Sequence, residues 1–103
     1  MQISVTFRHM DANDGMKEYA KQKLLKMKKY VENPVEAHVV LSVEKFRNIA
    51  EVTIKGEGIS INGEERSHDM YSAIDNVMNK IGRQIKKRRG KNRRYKAGQV
   101  APS

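Results

Sequence analysis

The chain has no cysteine, no tryptophan and only two prolines. Without thiols it cannot build a disulfide framework, a cysteine nucleophile or a zinc site based on sulfur, and it suits a reducing compartment. No apolar run approaches the ~18 residues of a membrane span. The opening Met1-Gln-Ile-Ser-Val-Thr-Phe-Arg8 lacks the basic and apolar segments of a signal peptide. A cytoplasmic protein with no membrane partner is the simplest expectation. Chemistry-bearing motifs are equally sparse. His9, His38 and His68 lie far apart and none has an i, i+4 partner, so no metal site is expected. Glu64, Glu65 and Asp69 cluster before a helix start, where capping and dipole compensation explain them better than acid–base work. There is no glycine-rich phosphate cradle and no Ser/His/Asp motif. Catalytic residues, cofactors and a small-molecule substrate are therefore not expected, and the chain does not read as an enzyme.

What is present is charge, unevenly placed. The 103 residues, 38% apolar, suffice for one domain with a modest core. The net charge is +9, but residues 76–103 hold ten Lys/Arg and no acid, and residues 16–30 hold six Lys against one Glu. Everything else holds five Lys/Arg against eleven Asp/Glu. An acidic body thus carries two concentrated basic segments. Clustered cations focus field and release counterions from phosphates, so this segregation points to a polyanion partner and not to a merely solubilising surface.

Periodicity supplies the elements. Ile3, Val5 and Phe7 alternate with polar neighbours over residues 2–8, a half-buried strand. Asp11-Ala-Asn-Asp-Gly15 breaks it, with Asn13 or Asp11 as N-cap of a helix. Met16, Ala20, Leu24, Met27 and Val31 form that helix's apolar face, which ends near Asn33-Pro34. Tyr19, Lys23, Lys26 and Tyr30 line one flank, and Lys17, Lys21 and Lys28 the other. Residues 36–45 and 49–55 read as strands, the first central by its β-branched run. Gly56-Glu57-Gly58 reads as a turn. Ile59 and Ile61 begin a further strand, which Asn62-Gly63 bulges or shortens. The last helix starts at Asp69, buries Met70, Ile74, Val77, Ile81 and Ile85, and ends or frays at Gly90. Asn76, Lys80, Arg83, Lys87 and Lys91 form its polar flank. A flexible basic tail is expected over 92–103, after a domain spanning 1–91.

The order β-α-β-β-β-α predicts an α+β fold, a four-stranded mixed sheet with two helices packed on one face. The first strand–helix–strand unit is a right-handed crossover with parallel strands, and the rest are hairpins. The αβββα part resembles a double-stranded RNA-binding domain, which reads A-form shape, phosphates and 2′-hydroxyls. Nothing resembles the aromatic segments of an RNA-recognition motif or the glycine loop of a KH domain. With four Tyr and two Phe, stacking surfaces are few, and Tyr19 and Tyr30 are expected to pack at the core edge. The expected RNA-binding residues are Lys17, Lys21, Lys23, Lys26 and Lys28 on the first helix, and Lys80, Arg83, Lys86, Lys87, Arg88 and Lys91 on the second.

The segment Asp69-Met-Tyr-Ser-Ala-Ile-Asp75, continuing to Lys80-Ile-Gly-Arg-Gln-Ile-Lys-Lys87, resembles the second-helix signature of the ribosome hibernation-promoting factor and ribosome-associated inhibitor A family. Val40-Leu-Ser-Val-Glu-Lys45 and Ala50-Glu-Val-Thr-Ile54 resemble it too, and the likeness covers about residues 1–91 in register. It implies the same βαβββα fold. It also implies a partner, the small ribosomal subunit and its 16S rRNA, and a role in the decoding channel: blocking mRNA and tRNA and protecting idle ribosomes under stress or in stationary phase. The family's basic positions correspond to Lys23 and Lys26 on the first helix and to Lys80, Arg83 and Lys87 on the second. Lys17, Lys21, Lys28, Lys86 and Arg88 rest on charge and helical geometry alone. A chain of this length resembles the short class, a monomer off the ribosome, without the ribosome-dimerising domain of long members. Whether it promotes or prevents ribosome pairing through a dimerising partner stays open, as does the role of the basic tail. Two other readings stand beside this one. The first is a general structured-RNA-binding module, an RNA chaperone or processing accessory. The second is a protein-interaction module whose basic face meets an acidic partner.

Overall fold

A computed structural model describes the backbone of residues 1–31, 34–56 and 58–98, with side chains as far as Arg88 except at 34 and 35. The strands are β1 (Gln2–Arg8), β2 (Pro34–Glu44), β3 (Arg47–Gly56) and β4 (Ile59–Ser67). The helices are α1 (Asp14–Met27), prolonged by a 3-10 turn over Lys28–Tyr30, and α2 (Met70–Gly98). The sheet order is β1-β2-β3-β4, with β1 parallel to β2 and the other pairs antiparallel. This is the mixed sheet that the element order predicts, and the β-branched β2 is central in it.

Pleat alternation sends Ala37, Val39 and Leu41 of β2, Ala50, Val52 and Ile54 of β3, and Ile61 of β4 to one face. There they meet Ala20 and Leu24 of α1 and Met70, Ala73, Ile74, Val77, Met78, Ile81 and Ile85 of α2 in a single core. Ile3, Val5 and Phe7 pack against it half-buried. Both helices therefore lie on the same side of the sheet. The opposite face carries polar residues in cross-strand rows, such as Ser4–His38–Thr53–Asn62.

The helix starts follow from their caps. Asn13, not Asp11, caps α1, its side-chain oxygen accepting from the Met16 N–H at 2.9 Å. Asp69 accepts from the Ser72 N–H at 3.0 Å, satisfying one free backbone donor of α2, and also from the Ser72 hydroxyl.

Three expectations need correction. The α1 segment stops at Tyr30, short of Asn33-Pro34, because Val31 turns extended and drops into the core. The β4 strand is neither bulged nor shortened at Asn62-Gly63, whose pairing with Thr53 and Val52 runs on unbroken. The irregularity in register lies instead between Pro34 and Glu36. A Cβ added to Gly63 would sit 3.3 Å from Ile81 Cδ1 and 3.5 Å from Lys80 Cδ, so this glycine lets α2 approach β4 closely. Finally, Gly90 does not end α2, which continues to Gly98. One glycine inside a helix costs only about 1 kcal/mol, and the flanking Lys/Arg are good helix formers. The boundary expected after residue 91 thus falls within a helix. Residues 99–103 of the expected tail lie outside the described residues, and so do the side chains of 89–98.

Candidate RNA-binding face

The two helices run in the same direction. Tyr19 meets Tyr71 edge-on with ring centroids 5.1 Å apart. Further along, a Cβ on Gly82 would lie 3.8 Å from the Met27 sulfur. At the far end the Lys86 ammonium stands 5.9 Å from the Tyr30 ring. Because the helices run parallel, the α1 segment ends level with residue 86 of α2, and α2 continues about three turns further, to Gly98. The cations at this level are Lys26 on α1, Lys28 and Lys29 on the 3-10 turn, and Lys86, Lys87 and Arg88 on α2. All six are exposed.

The candidate residues separate into three sets. Lys23, Lys26 and Lys86 border the groove between the helices. Arg83 and Lys87 lie on the outer side of α2, exposed and one turn apart. Lys17, Lys21 and Lys28 lie on the far flank of α1, turned from α2, so the body of α1 separates them from the α2 cations. Arg88 occupies the position that would continue the apolar stripe through Ile81 and Ile85, yet it is exposed, so the stripe ends at Ile85. Lys91 is on the α2 backbone, and its side chain lies outside the described residues.

Not every cation is free. Lys23 pairs with Asp75 of α2 at 3.7 Å and stands 5.3 Å from the Tyr19 ring. The Tyr19 hydroxyl donates to the same Asp75 carboxylate. That hydrogen bond, then burial, raises the phenol's pKa above its ordinary value. The two tyrosines and Asp75 thus brace α1 to α2, and Tyr19 is a core-edge residue as its spacing predicts. Lys80 lies over β4, its ammonium 3.3 Å from Glu65. Glu64 pairs with Arg66 at 3.3 Å. The expectation that Glu64 and Glu65 serve the α2 N-terminus is therefore corrected: Asp69 alone caps it, and the two glutamates answer cations. These pairings needed the tertiary neighbours and had no local signal.

Ser4, His38 and Glu36 also come together, with the Ser4 hydroxyl against His38 Nδ1 and His38 Nε2 3.3 Å from Glu36. They stand on the sheet face away from the helices. Parallel register alone places Ser4 beside His38, and the imidazole is about half exposed. Sheet pairing accounts for the cluster.

Comparison with known proteins places this arrangement. The family model for "Sigma 54 modulation protein / S30EA ribosomal protein" matches residues 3–93. A ribosome hibernation promoting factor of Salmonella typhimurium is 31% identical over 91 residues, 88% of this chain and 96% of that protein. Its Escherichia coli K12 counterpart is 30% identical with the same coverage. Among solved structures, the N-terminal domain of Protein Y from Thermus thermophilus superposes with a TM-score of 0.78 at 28% identity, covering 84% of this chain and 98% of that one. A ribosomal subunit interface protein from Coxiella burnetii gives 0.81 at 26% identity, covering 87% and 99%. Since the matched residues take in all four strands, α1 and most of α2, the chain belongs to the Sigma 54 modulation protein / S30EA ribosomal protein family.

Proposed function

We propose that this protein is a ribosome hibernation factor whose two-helix face docks on 16S rRNA of the small ribosomal subunit. There it occupies the decoding channel, in the A- and P-site region, and excludes mRNA and tRNA. The observation that carries the reading is the gathering of exposed Lys and Arg from two parallel helices at one end of an otherwise acidic body. The names of its relatives, hibernation promoting factors and a subunit interface protein, support the ribosome as the polyanion.

The mechanism is steric and electrostatic. Lys26, Arg83, Lys86, Lys87 and Arg88 contact phosphates, with Lys23 and Lys80 joining once their carboxylate partners are exchanged. Lys17, Lys21 and Lys28 meet a second strand or none, since α1 stands between them and α2, and Lys91 extends the α2 row. Phosphate contacts fix position and carry no base sequence, which suits a plug that must fit one cavity by shape. No covalent step is involved. The protein acts in the cytoplasm, where ribosomes are.

Cosedimentation with small subunits at physiological salt, competed by initiator tRNA, tests this reading. Displacement by the tRNA is expected. A protein that stays at the top of the gradient, or that binds equally with and without saturating tRNA, would refute it. A generic RNA hairpin bound as tightly as the subunit would favour the general RNA-binding reading. Associations that survive nuclease would favour an acidic protein partner.

A further inference from the structure

The end of the molecule opposite the basic helix termini carries an unexplained feature. The β2–β3 hairpin turns in two residues, Lys45 and Phe46, between the paired Glu44 and Arg47. Both turn residues have positive φ, 45° and 68°. Primed turns of this kind favour Asn-Gly, because positive φ strains any residue with a Cβ and a bulky one most. Phe46 is nonetheless here and is 93% exposed, so it contributes nothing to the core. Among the described residues, the remaining non-glycine one with positive φ, His9, follows Arg8, whose partner Ser42 lies two residues before Glu44 on the same strand. Backbone strain is thus collected at one tip, and strain that the fold does not need is the usual mark of a contact site.

We propose that this tip is a second RNA contact, in which the Phe46 ring stacks on an unpaired base while Lys45 and Arg47 hold the adjoining phosphates. The inference rests on the small-subunit reading and adds a contact that neither the helices nor their charge would predict. Lys45 and Arg47 are both exposed, and neither has an ion-pair partner among the described residues. A lone aromatic ring between two free cations suits a nucleotide, whose base has an apolar face and whose backbone is anionic. An apolar pocket on a protein suits it less, since Lys is depleted where protein interfaces are driest. The 11 residues of β2 set this tip about 36 Å, at 3.3 Å per residue, from the other end of the sheet, where the α1 segment stops. The two contacts would therefore fix orientation as well as affinity.

Two variants of the full chain test the idea. Phe46→Gly removes the ring and relieves the φ strain, so the melting temperature is expected to hold or rise while affinity for small subunits falls about 5- to 150-fold, the span that one base stack carries. Phe46→Trp keeps the ring and introduces the chain's single tryptophan. Its emission should be quenched on binding subunits, as stacking on a base demands. Wild-type affinity in Phe46→Gly, or a blue shift without quenching in Phe46→Trp, overturns the base-stacking contact; the latter would indicate a protein pocket. Failure of the wild-type chain to bind subunits would instead overturn the small-subunit reading, and this contact with it.

Discussion

Replacing Glu65 by Gln should tighten binding to the small subunit. Lys80 does not stand free: its ammonium is 3.3 Å from Glu65 across the α2–β4 contact. The side chains are 42% and 35% exposed, so the pair sits in high dielectric and is worth about 0.2–1 kcal/mol. Binding a phosphate requires Lys80 to give up that partner. It also brings the Glu65 carboxylate near the RNA. The Gln variant removes both costs and adds one unit of net positive charge. The expected gain is about 1.4- to 5-fold in affinity, the range that 0.2–1 kcal/mol converts to, largest at low salt. Unfolding free energy should fall by no more than ~1 kcal/mol. Salt-titrated binding to small subunits, beside thermal unfolding of the same samples, reads both quantities. A loss of affinity in a variant that remains folded would refute the reasoning, because it would make Glu65 itself a contact or take Lys80 off the binding face.

Further outcomes follow from the helix brace and the close approaches. Asp75→Ala should bring the Tyr19 phenol down toward its ordinary pKa of 10.0, seen as an earlier rise of tyrosinate absorbance with pH. The sign for stability is fixed by proton binding: the raised pKa means that the folded chain holds the phenolic proton more tightly. This contribution is complete below pH 10 and is lost as pH climbs through the folded value. An unchanged tyrosinate titration in Asp75→Ala would contradict the brace. Gly82→Ala should stabilise α2 by about 0.5–1 kcal/mol, since the added methyl meets only the Met27 sulfur at 3.8 Å and helix entropy favours alanine. Gly63→Ala should instead destabilise by ~1 kcal/mol or more, because Ile81, fully buried, would have to yield to a Cβ at 3.3 Å. Denaturant unfolding of the two variants should give opposite signs, and equal signs would refute the packing argument.

The element order and the shared face were legible because they rest on periodicity. Ile3, Val5 and Phe7 repeat every second residue, and Met70, Ile74, Val77, Ile81 and Ile85 repeat every three or four. Asp69 as a cap was legible for the same local reason. What escaped depends on neighbours distant in sequence. Gly63 reads as a bulge until Ile81 is packed on it. Lys23 and Lys80 read as free cations until Asp75 and Glu65 stand opposite them. That α1 and α2 run parallel, and so bring the end of α1 level with Lys86, follows only from the packing of Tyr19 on Tyr71 and Met27 on Gly82. A hairpin between 45 and 49 was legible from the two strand patterns, but its exact turn at Lys45-Phe46 was not, since these residues lack the Gly or Asn by which such turns are recognised.

In the proposed mode of action, exposed cations in the middle of α2 hold the protein on the small subunit. Arg83 and Lys87 test it best, since both are exposed and neither has an ion-pair partner among the described residues, whereas Lys80 is tied to Glu65. Gradient cosedimentation of the double variant Arg83→Glu with Lys87→Glu, at physiological salt and with a native circular-dichroism spectrum, is the direct measurement. Loss of the protein from the subunit fractions is the predicted result. A folded double variant that still travels with the subunits as the wild type does would contradict it.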